Sequence, residues 1–133
     1  MMKDSDAIVQ LKQLKARALA IYSKFHVGAL LETAEGEIVE GFNIESSSYG
    51  LTICAERVAL FKALTEGKRK FRRIYIMGDS KAPCPPCGAC RQVLMDYAPE
   101  LEVIMFSEKG EKQQATLKEL LPHAFSGDSL PPR

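Results

Sequence analysis

The sequence has no long apolar run and almost no net charge. No stretch approaches the roughly 20 consecutive apolar residues that a transmembrane helix needs. The 133 residues carry a net charge of +1, so no overall field draws the chain towards nucleic acid or an anionic membrane. The first six residues are polar and acidic, and no apolar secretory core follows them. We therefore expect a cytoplasmic protein.

Linkers, internal repeats and low-complexity segments are also missing before the last residues. A chain of 133 residues that is 46% hydrophobic and 26% charged suits one compact domain with a modest core. We therefore predict a single domain over residues 1–133. The segment 126–133 contains Gly127, Pro131 and Pro132, and it is predicted to form a loose surface tail.

Periodicity and turn signals in the first part of the chain predict one helix followed by a hairpin. Apolar residues at three- and four-residue steps indicate an amphipathic helix near residues 5–22, capped by Asp4 or Ser5. Short apolar runs then predict two strands at 27–31 and 38–44, joined by a tight turn.

Two further helices are predicted to begin at cysteines, over residues 54–66 and 87–98. Gly67 ends the first of these helices, and prolines before Cys87 prevent an earlier start of the second. Each helix is expected to bury one apolar face. The residues predicted on these faces are Val58, Phe61 and Leu64 in the first helix and Val93, Leu94 and Tyr97 in the second.

Buried strands alternate with these helices. Apolar runs predict strands at 74–77 and 101–106, and one more short strand is expected near 111–115. Thr116 with Glu119 forms a capping box for a short final helix. Helices that fall between buried strands imply an α/β fold, a three-layer α/β/α domain with a mixed central sheet.

Three cysteines and one glutamate form the most informative pattern in the sequence. Cys54 and Glu56 make a C-x-E segment, and Cys87 and Cys90 belong to a P-C-x-x-C segment further along. Three thiolates can hold one zinc ion and leave its fourth position open for water. The order and separation of the two segments predict one Zn²⁺ per chain, bound by Cys54, Cys87 and Cys90.

The predicted placement of these cysteines at helix starts favours the thiolate form, because helix N-termini stabilise anions. Three thiolates around a divalent ion leave a net local charge of about −1, which weakens the ion's power to acidify water. Arg57 and Arg91 each follow a ligand cysteine directly. We expect both guanidinium groups to offset this charge by donating hydrogen bonds to sulfur.

Glu56 is predicted to move protons rather than to bind the metal. Zinc, a bound hydroxide and a glutamate that is not a ligand are what the deamination of an amino-pyrimidine ring requires. Glu56 would take a proton from the bound water, protonate ring nitrogen N3 and later deliver a proton to the departing amine. The hydroxide would attack C4, and ammonia would leave.

At these residues the chain closely resembles the small, homotetrameric cytidine deaminases of pyrimidine salvage. The similar segments are 22–29, 43–57, 86–94 and 120–125, so the resemblance extends over nearly the whole chain. It implies hydrolysis of cytidine and 2′-deoxycytidine to uridine and 2′-deoxyuridine with release of ammonia. It also implies a homotetramer whose active sites are shared between subunits.

The resemblance further implies roles in substrate binding. Asn43 and Glu45 match the family's ribose contacts, and Phe25 matches the aromatic residue that lines the base pocket. Tyr49 and Phe125 match residues that complete the site of a neighbouring subunit.

The chain departs from the family pattern beside the predicted site. Ile21 replaces a frequent proline, Ser46 and Ser47 stand where Asn-Ala is frequent, and Pro85 replaces a small or polar residue. The carbonyl at position 85 is expected to accept a hydrogen bond from the substrate's amino group, and proline keeps its carbonyl. These departures leave the fine substrate preference open.

Other interpretations of the same residues remain. The cysteines also suit a structural zinc site in a non-catalytic binding module, and the zinc motif is shared with blasticidin-type deaminases. Cys84 and Cys87 have the spacing of a redox pair, and the basic run 68–73 has a composition compatible with RNA binding. His26 and His123 are predicted to be structural, because three thiolates and water already fill the zinc site.

Overall fold

The structure, a computed structural model, describes residues 2–132 and contains one five-stranded sheet. Its strands are β1 Gly28–Thr33, β2 Ile38–Phe42, β3 Phe71–Met77, β4 Glu102–Phe106 and β5 Lys112–Thr116. Its helices are α1 Asp4–Arg17, α2 Ala55–Thr65, α3 Gly88–Tyr97 and α4 Leu117–Leu120. Short 3-10 turns are formed by Tyr49–Leu51 and by Gly127–Ser129.

The sheet is mixed, with the strand order β2-β1-β3-β4-β5. Strand β1 runs antiparallel to both β2 and β3, β4 runs parallel to β3, and β5 returns antiparallel to β4. The parallel pair needs a crossover connection, which helix α3 supplies. Residues 74–77 in the central strand β3 are completely buried, as expected for a strand covered on both faces.

Helices cover both faces of the sheet, and this confirms the predicted three-layer α/β/α architecture. On one face, Leu11 and Leu14 of α1 pack in a cluster with Tyr75 and Phe106 of the sheet. On the other face, α2 and α3 contribute to a larger cluster that includes Leu31, Ile76 and Met105 of the sheet. The metal-binding segments begin the two helices of this second face.

Helix α1 is shorter than the periodicity predicted, and its predicted cap is wrong. The helix ends at Arg17, and the backbone of Ala18 is already extended. Leu19 then forms a bridge with Ile44, because its amide donates to the carbonyl of Asn43. These bonds pull the chain out of the helix. The N-cap position is Lys3, and no side chain caps the helix there.

The predicted inner faces of α2 and α3 are partly wrong. Phe61 and Tyr97 are 40% and 53% exposed, and Val58 is only partly buried. Ala55, Ala59 and Ala63 form much of the buried face of α2 instead. A Cβ built on Gly41 of β2 would lie 2.4 Å from the carbonyl oxygen of Ala55. Helix and strand therefore pack backbone to backbone, and large side chains do not fit between them.

Several local predictions are confirmed. Gly36 has a φ of 89° in the hairpin turn, and Gly67 has a φ of 89° after α2. Thr116 and Glu119 form both bonds of the capping box, and β5 is present. Residues 126–132 are mostly exposed and include one 3-10 turn, and the loose tail over 126–133 stays a prediction.

The basic run 68–73 is only partly a loop. Its last three residues belong to β3. Arg73 pairs with the buried carboxylate of Glu32 at 2.6 Å, and Lys68 pairs with Glu37 at 2.7 Å. Arg69 donates to the main-chain carbonyls of Leu64 and Lys68 at the end of α2. The side chains of three of the five basic residues in this run are therefore engaged within the chain.

Within residues 2–132, no helix combines the length and the apolar character that crossing a membrane requires.

Candidate metal centre and active site

The three predicted metal ligands lie at the starts of two neighbouring helices. Cys54 is the N-cap residue of α2, and Cys87 is the N-cap residue of α3. Cys90 follows in the first turn of α3, and its amide donates to the sulfur of Cys87 at 3.4 Å. Both cysteine segments thus lie where a loop becomes a helix, as predicted, and the helix dipoles favour thiolates there.

The three sulfur atoms form a group that can hold a metal ion. All three Sγ atoms lie within 4.8 Å of one another, and those of Cys54 and Cys87 are 3.6 Å apart. Sulfur ligands about 2.3 Å from a tetrahedral zinc ion lie roughly 3.8 Å from each other. The donor set and its spacing therefore fit zinc.

A guanidinium group lies against the sulfur of Cys54. Nη2 of Arg57 is 3.7 Å from Cys54 Sγ and also donates to the carbonyl of Thr52. The pKa of Cys54 is lowered, chiefly by a hydrogen bond from Cys90 and also by Arg57, while burial opposes the shift. The pKa of Cys90 is raised, because this thiol is the donor to Cys54 and is buried. Zinc binding must therefore displace a proton from Cys90.

Arg91 differs from the prediction. Its Nε donates to the carbonyl of Pro86 and its Nη1 to the carbonyl of Leu120, both at 2.9 Å. These contacts tie the start of α3 to helix α4, and they direct the guanidinium group to carbonyl oxygens instead of a thiolate. Arg57 is placed as expected, whereas Arg91 supports the loop in front of Cys87.

Glu56 is the second residue of α2 and is almost completely buried, at 3% exposure. Burial raises the pKa of its carboxyl to about 7, and the nearby Cys54 thiolate adds to the shift. A carboxyl with this pKa can accept and release a proton near neutral pH. It does not belong to the metal-binding group, which consists of the three cysteines alone in the described residues.

Glu56 faces a cavity of roughly 330 Å³ that brings together most of the predicted site residues. The lining residues are Ser23, Phe25, Val27, Asn43, Glu45, Thr52, Cys54, Glu56, Cys84, Pro85 and Cys87. Sequence reasoning did not assign roles to Ser23, Val27 and Thr52. All three residues lie within the segments 22–29 and 43–57 that resemble the family, and this resemblance was the available signal.

Asn43 uses both ends of its amide to hold the neighbouring loop. Its Oδ1 accepts from the amide of Val27 at 3.0 Å, and its Nδ2 donates to the carbonyl of Phe25 at 2.9 Å. The side-chain amide has two N–H donors, so one remains for a ligand.

Glu45 is bound to the same loop. Its Oε1 accepts from the amides of Tyr22 and Ser23, both at 2.9 Å, and its Oε2 accepts from the hydroxyl of Ser23. The hydroxyl and amide of Ser23 lower the pKa of Glu45. The carboxylate is therefore charged, and Oε2 has a remaining lone pair that can accept from a ligand hydroxyl.

Tyr49 and Phe125 do not line the cavity. The ring of Tyr49 is 61% exposed and packs at a tilt against Tyr22, with ring centroids 6.1 Å apart. Phe125 is 58% exposed, and its carbonyl accepts from Gln92 at 2.8 Å. Their predicted contribution to a neighbouring subunit's site stays a prediction.

Cys84 lies in the cavity wall but outside the metal-binding group. It is buried, and burial raises the pKa of its thiol to about 11, so it is a poor nucleophile. All four cysteines are free, so Cys84 and Cys87 form no redox disulfide here. His26 and His123 also lie outside the metal-binding group, and Nδ1 of His26 is 2.8 Å from Asp79.

The fold and the three-cysteine group define a zinc-binding α/β domain. Residues 1–106 match the family model described as "Cytidine and deoxycytidylate deaminase zinc-binding region". The chain belongs to the cytidine and deoxycytidylate deaminase family.

Individual relatives agree with this assignment. The chain is 46% identical to a cytidine deaminase from Halalkalibacterium halodurans over 119 residues, 89% of this chain and 90% of the relative. The crystal structure of a cytidine deaminase from Burkholderia pseudomallei superimposes with a TM-score of 0.89 at 42% identity, covering 93% of this chain and all of that one. A blasticidin-S deaminase from Bacillus cereus is more distant, at 32% identity over 127 residues, 90% of each chain.

Proposed function

We propose that the protein hydrolyses cytidine and 2′-deoxycytidine to uridine and 2′-deoxyuridine, with release of ammonia, in pyrimidine salvage. The observation that carries this proposal is the buried Glu56, which shares one cavity with Cys54, Cys87, Asn43 and Glu45. Membership of the deaminase family and the similarity to cytidine deaminases support the same reaction.

Cys54, Cys87 and Cys90 would hold one zinc ion per chain. When bound there, zinc acidifies a water molecule for addition to C4 of the pyrimidine ring. Arg57 withdraws charge from the sulfur of Cys54 through its 3.7 Å contact, which limits the electron donation of three thiolates.

Glu56 is the proton carrier of the proposed reaction. Its carboxylate takes a proton from the attacking water and passes it to ring nitrogen N3, and it delivers the water's second proton to the leaving amine. The products are then uridine and ammonia, and the carboxylate returns to its starting form. Burial raises the pKa of Glu56 to about 7, which suits a group that must both accept and release protons.

Asn43, Glu45 and Phe25 bind the nucleoside. The free N–H of Asn43 would donate to a ribose hydroxyl oxygen, and the free lone pair of Glu45 would accept from a ribose hydroxyl. The ring of Phe25 forms the wall for the base, and the carbonyl of Pro85 accepts from the amino group of the substrate. These contacts fix the ring for attack and make the sugar necessary for efficient turnover.

The active form is proposed to be a cytoplasmic homotetramer with shared sites. Tyr49, Leu51 and Phe125 are apolar side chains between 58% and 70% exposed, which favours their burial by other copies of the chain. The resemblance of Tyr49 and Phe125 to residues that complete a neighbour's pocket supports the same arrangement.

Two alternatives are less well supported. A blasticidin-type activity has support from a relative of 32% identity, against 46% for a cytidine deaminase. RNA binding by the basic run 68–73 is disfavoured, because Lys68 and Arg73 pair with Glu37 and Glu32.

The test is an ammonia-release assay on cytidine, 2′-deoxycytidine, cytosine and blasticidin S, with zinc content measured on the same preparation. We expect turnover of both nucleosides and little turnover of cytosine. Turnover of blasticidin S alone would identify the protein as a blasticidin-type deaminase. Zinc binding without any ammonia release would identify a non-catalytic module.

A further inference from the structure

Asp79 lies just after the central strand β3 and contacts both helix α1 and the loop that carries Phe25. Its Oδ1 is 2.9 Å from Nζ of Lys15 in α1. Its Oδ2 accepts from the amide of His26 and lies close to Nδ1 of the same residue, both at 2.8 Å. One carboxylate therefore connects a helix, a strand end and the cavity loop.

Lys15 fixes the position of this carboxylate. Its side chain is 12% exposed, and Nζ also donates to the carbonyl of Gly78 at 3.0 Å. Burial opposes ionisation of Asp79, but hydrogen bonds from His26 and Lys15 outweigh it and hold the pKa of the carboxyl below its usual range. Asp79 is therefore charged at neutral pH and anchored at both oxygens.

The main chain around Phe25 is held on both sides. Lys24, the preceding residue, has a φ of 61°, which is unfavourable for a residue with a side chain. His26, the following residue, is bound to Asp79, and the carbonyl of Phe25 accepts from Asn43 at 2.9 Å. Such a backbone conformation persists only where surrounding contacts impose it.

The ring of Phe25 is seated on the end of β3. A Cβ built on Gly78 would lie 3.0 Å and 3.1 Å from Cζ and Cε1 of Phe25, and 2.9 Å from Sγ of Cys84. The ring therefore packs directly on the backbone of Gly78, whose carbonyl is the one that Lys15 binds. Both the main chain and the ring of Phe25 depend on the same short segment, 78–79.

We propose that Asp79 is a positioning residue for nucleoside binding: it clamps the main chain of His26, is itself held by Lys15, and thereby sets the place of the Phe25 ring in the cavity wall. This inference rests on the proposed function, because it assigns Phe25 to the nucleoside site. Asp79 does not line the cavity, so it is assigned a positioning role and no part in proton transfer.

The test compares Asp79→Ala with the unmodified protein in steady-state kinetics and metal analysis. We expect KM to rise about tenfold or more while kcat changes by less than about threefold, since the Phe25 wall contacts the base equally in the ground state and in the transition state. Zinc content stays the same. Asp79→Asn keeps one oxygen that can accept from His26. Its KM is therefore expected to lie between that of the unmodified protein and that of Asp79→Ala.

The matched control is Glu37→Ala. It removes a carboxylate that also pairs with a lysine, Lys68 at 2.7 Å, at the opposite end of the β1–β2 hairpin from the cavity. We expect its KM to stay unchanged. If the KM of Asp79→Ala and of Asp79→Asn equals that of the unmodified protein, the positioning role is refuted. This holds whether or not kcat or thermal stability falls.

Amide hydrogen exchange at His26 tests the clamp without a substrate. Protection of this amide is expected to fall in Asp79→Ala and to persist in Glu37→Ala. Equal protection in both variants refutes the clamp. Failure of the unmodified protein to act on cytidine refutes the proposed function instead. The KM comparison is then made with whichever compound of the assay panel the protein turns over.

Discussion

The guanidinium group of Arg57 lies 3.7 Å from the sulfur of Cys54, and it also donates to the carbonyl of Thr52 in the loop before that cysteine. The Nε atom of Arg57 is buried and has no partner among the described residues. The carbonyl of Thr52 thus holds the side chain beside the sulfur. The guanidinium group contacts the predicted metal ligand and does not line the cavity.

Arg57→Gln is expected to weaken zinc retention and to lower turnover, with little change in nucleoside affinity. Loss of a group that donates to a metal ligand typically lowers metal affinity or activity by about 10–100-fold. Competition with a chelator measures the first effect, and KM with calorimetric binding of uridine measures the second. Unchanged zinc affinity together with a large loss of uridine binding would contradict the assignment.

Glu56→Gln is expected to retain zinc and to bind nucleoside, but to turn over very slowly. A positioned acid–base group typically contributes about 10²–10⁴-fold to the rate, and glutamine has nearly the same shape without the ionisable proton. Single-turnover rates and metal analysis on the same sample check this. A rate within about tenfold of the unmodified enzyme would rule out proton transfer by Glu56.

Cys87→Ser is expected to lose zinc and activity while α3 stays folded. The sulfur of Cys87 caps this helix by accepting from the amide of Cys90, and a serine hydroxyl also caps well. The substitution therefore separates loss of the metal ligand from loss of the cap.

Cys84→Ser is the matched control for this substitution. Cys84 lies in the same cavity wall but outside the metal-binding group, so this variant is expected to keep its zinc. Full zinc content in Cys87→Ser, or zinc loss in Cys84→Ser, would overturn the ligand assignment. Circular dichroism monitors the helix content of both variants.

Shared active sites predict that two inactive proteins restore activity when mixed. Phe125→Ala and Glu56→Gln are each expected to be inactive alone, because one lacks its contribution to the neighbour's pocket and the other lacks the proton carrier. After subunit exchange, some sites combine an intact Glu56 with an intact Phe125. Activity should then partly return, and light scattering should give the mass of four chains.

A fully active monomer would refute shared sites, as would the absence of recovery after proven subunit exchange. Mixing Glu56→Gln with Cys87→Ser is the control. Glu56 and Cys87 of each site come from the same chain. Every site in the mixture therefore still contains one defect, and no recovery is expected.

Local patterns in the sequence predicted much of the fold correctly. The hairpin turn at Gly36, the capping box of Thr116 and Glu119 and the helix starts at Cys54 and Cys87 depend on neighbours a few residues away. Such interactions are readable from spacing, because backbone geometry alone brings the partners together.

Long-range packing decided the features that spacing predicted wrongly. Helix α1 ends early because Leu19 bonds to Asn43, and Phe61 is exposed because α2 packs its alanines on Gly41. Arg91 reaches the carbonyl of Leu120 instead of a sulfur. These partners are distant in sequence, so apolar periodicity has no information about them.

The sequence by itself determined the chemistry of this protein: three thiols, a glutamate two residues after the first, and the order of strands and helices that carries them. Only the tertiary structure decided how Phe25 is held, because Lys15, Asp79 and His26 come from three separate segments that meet at the end of β3. Residue types define which reaction a site can perform. Contacts between distant segments decide where each group stands, since packing selects one arrangement among many that the local pattern allows.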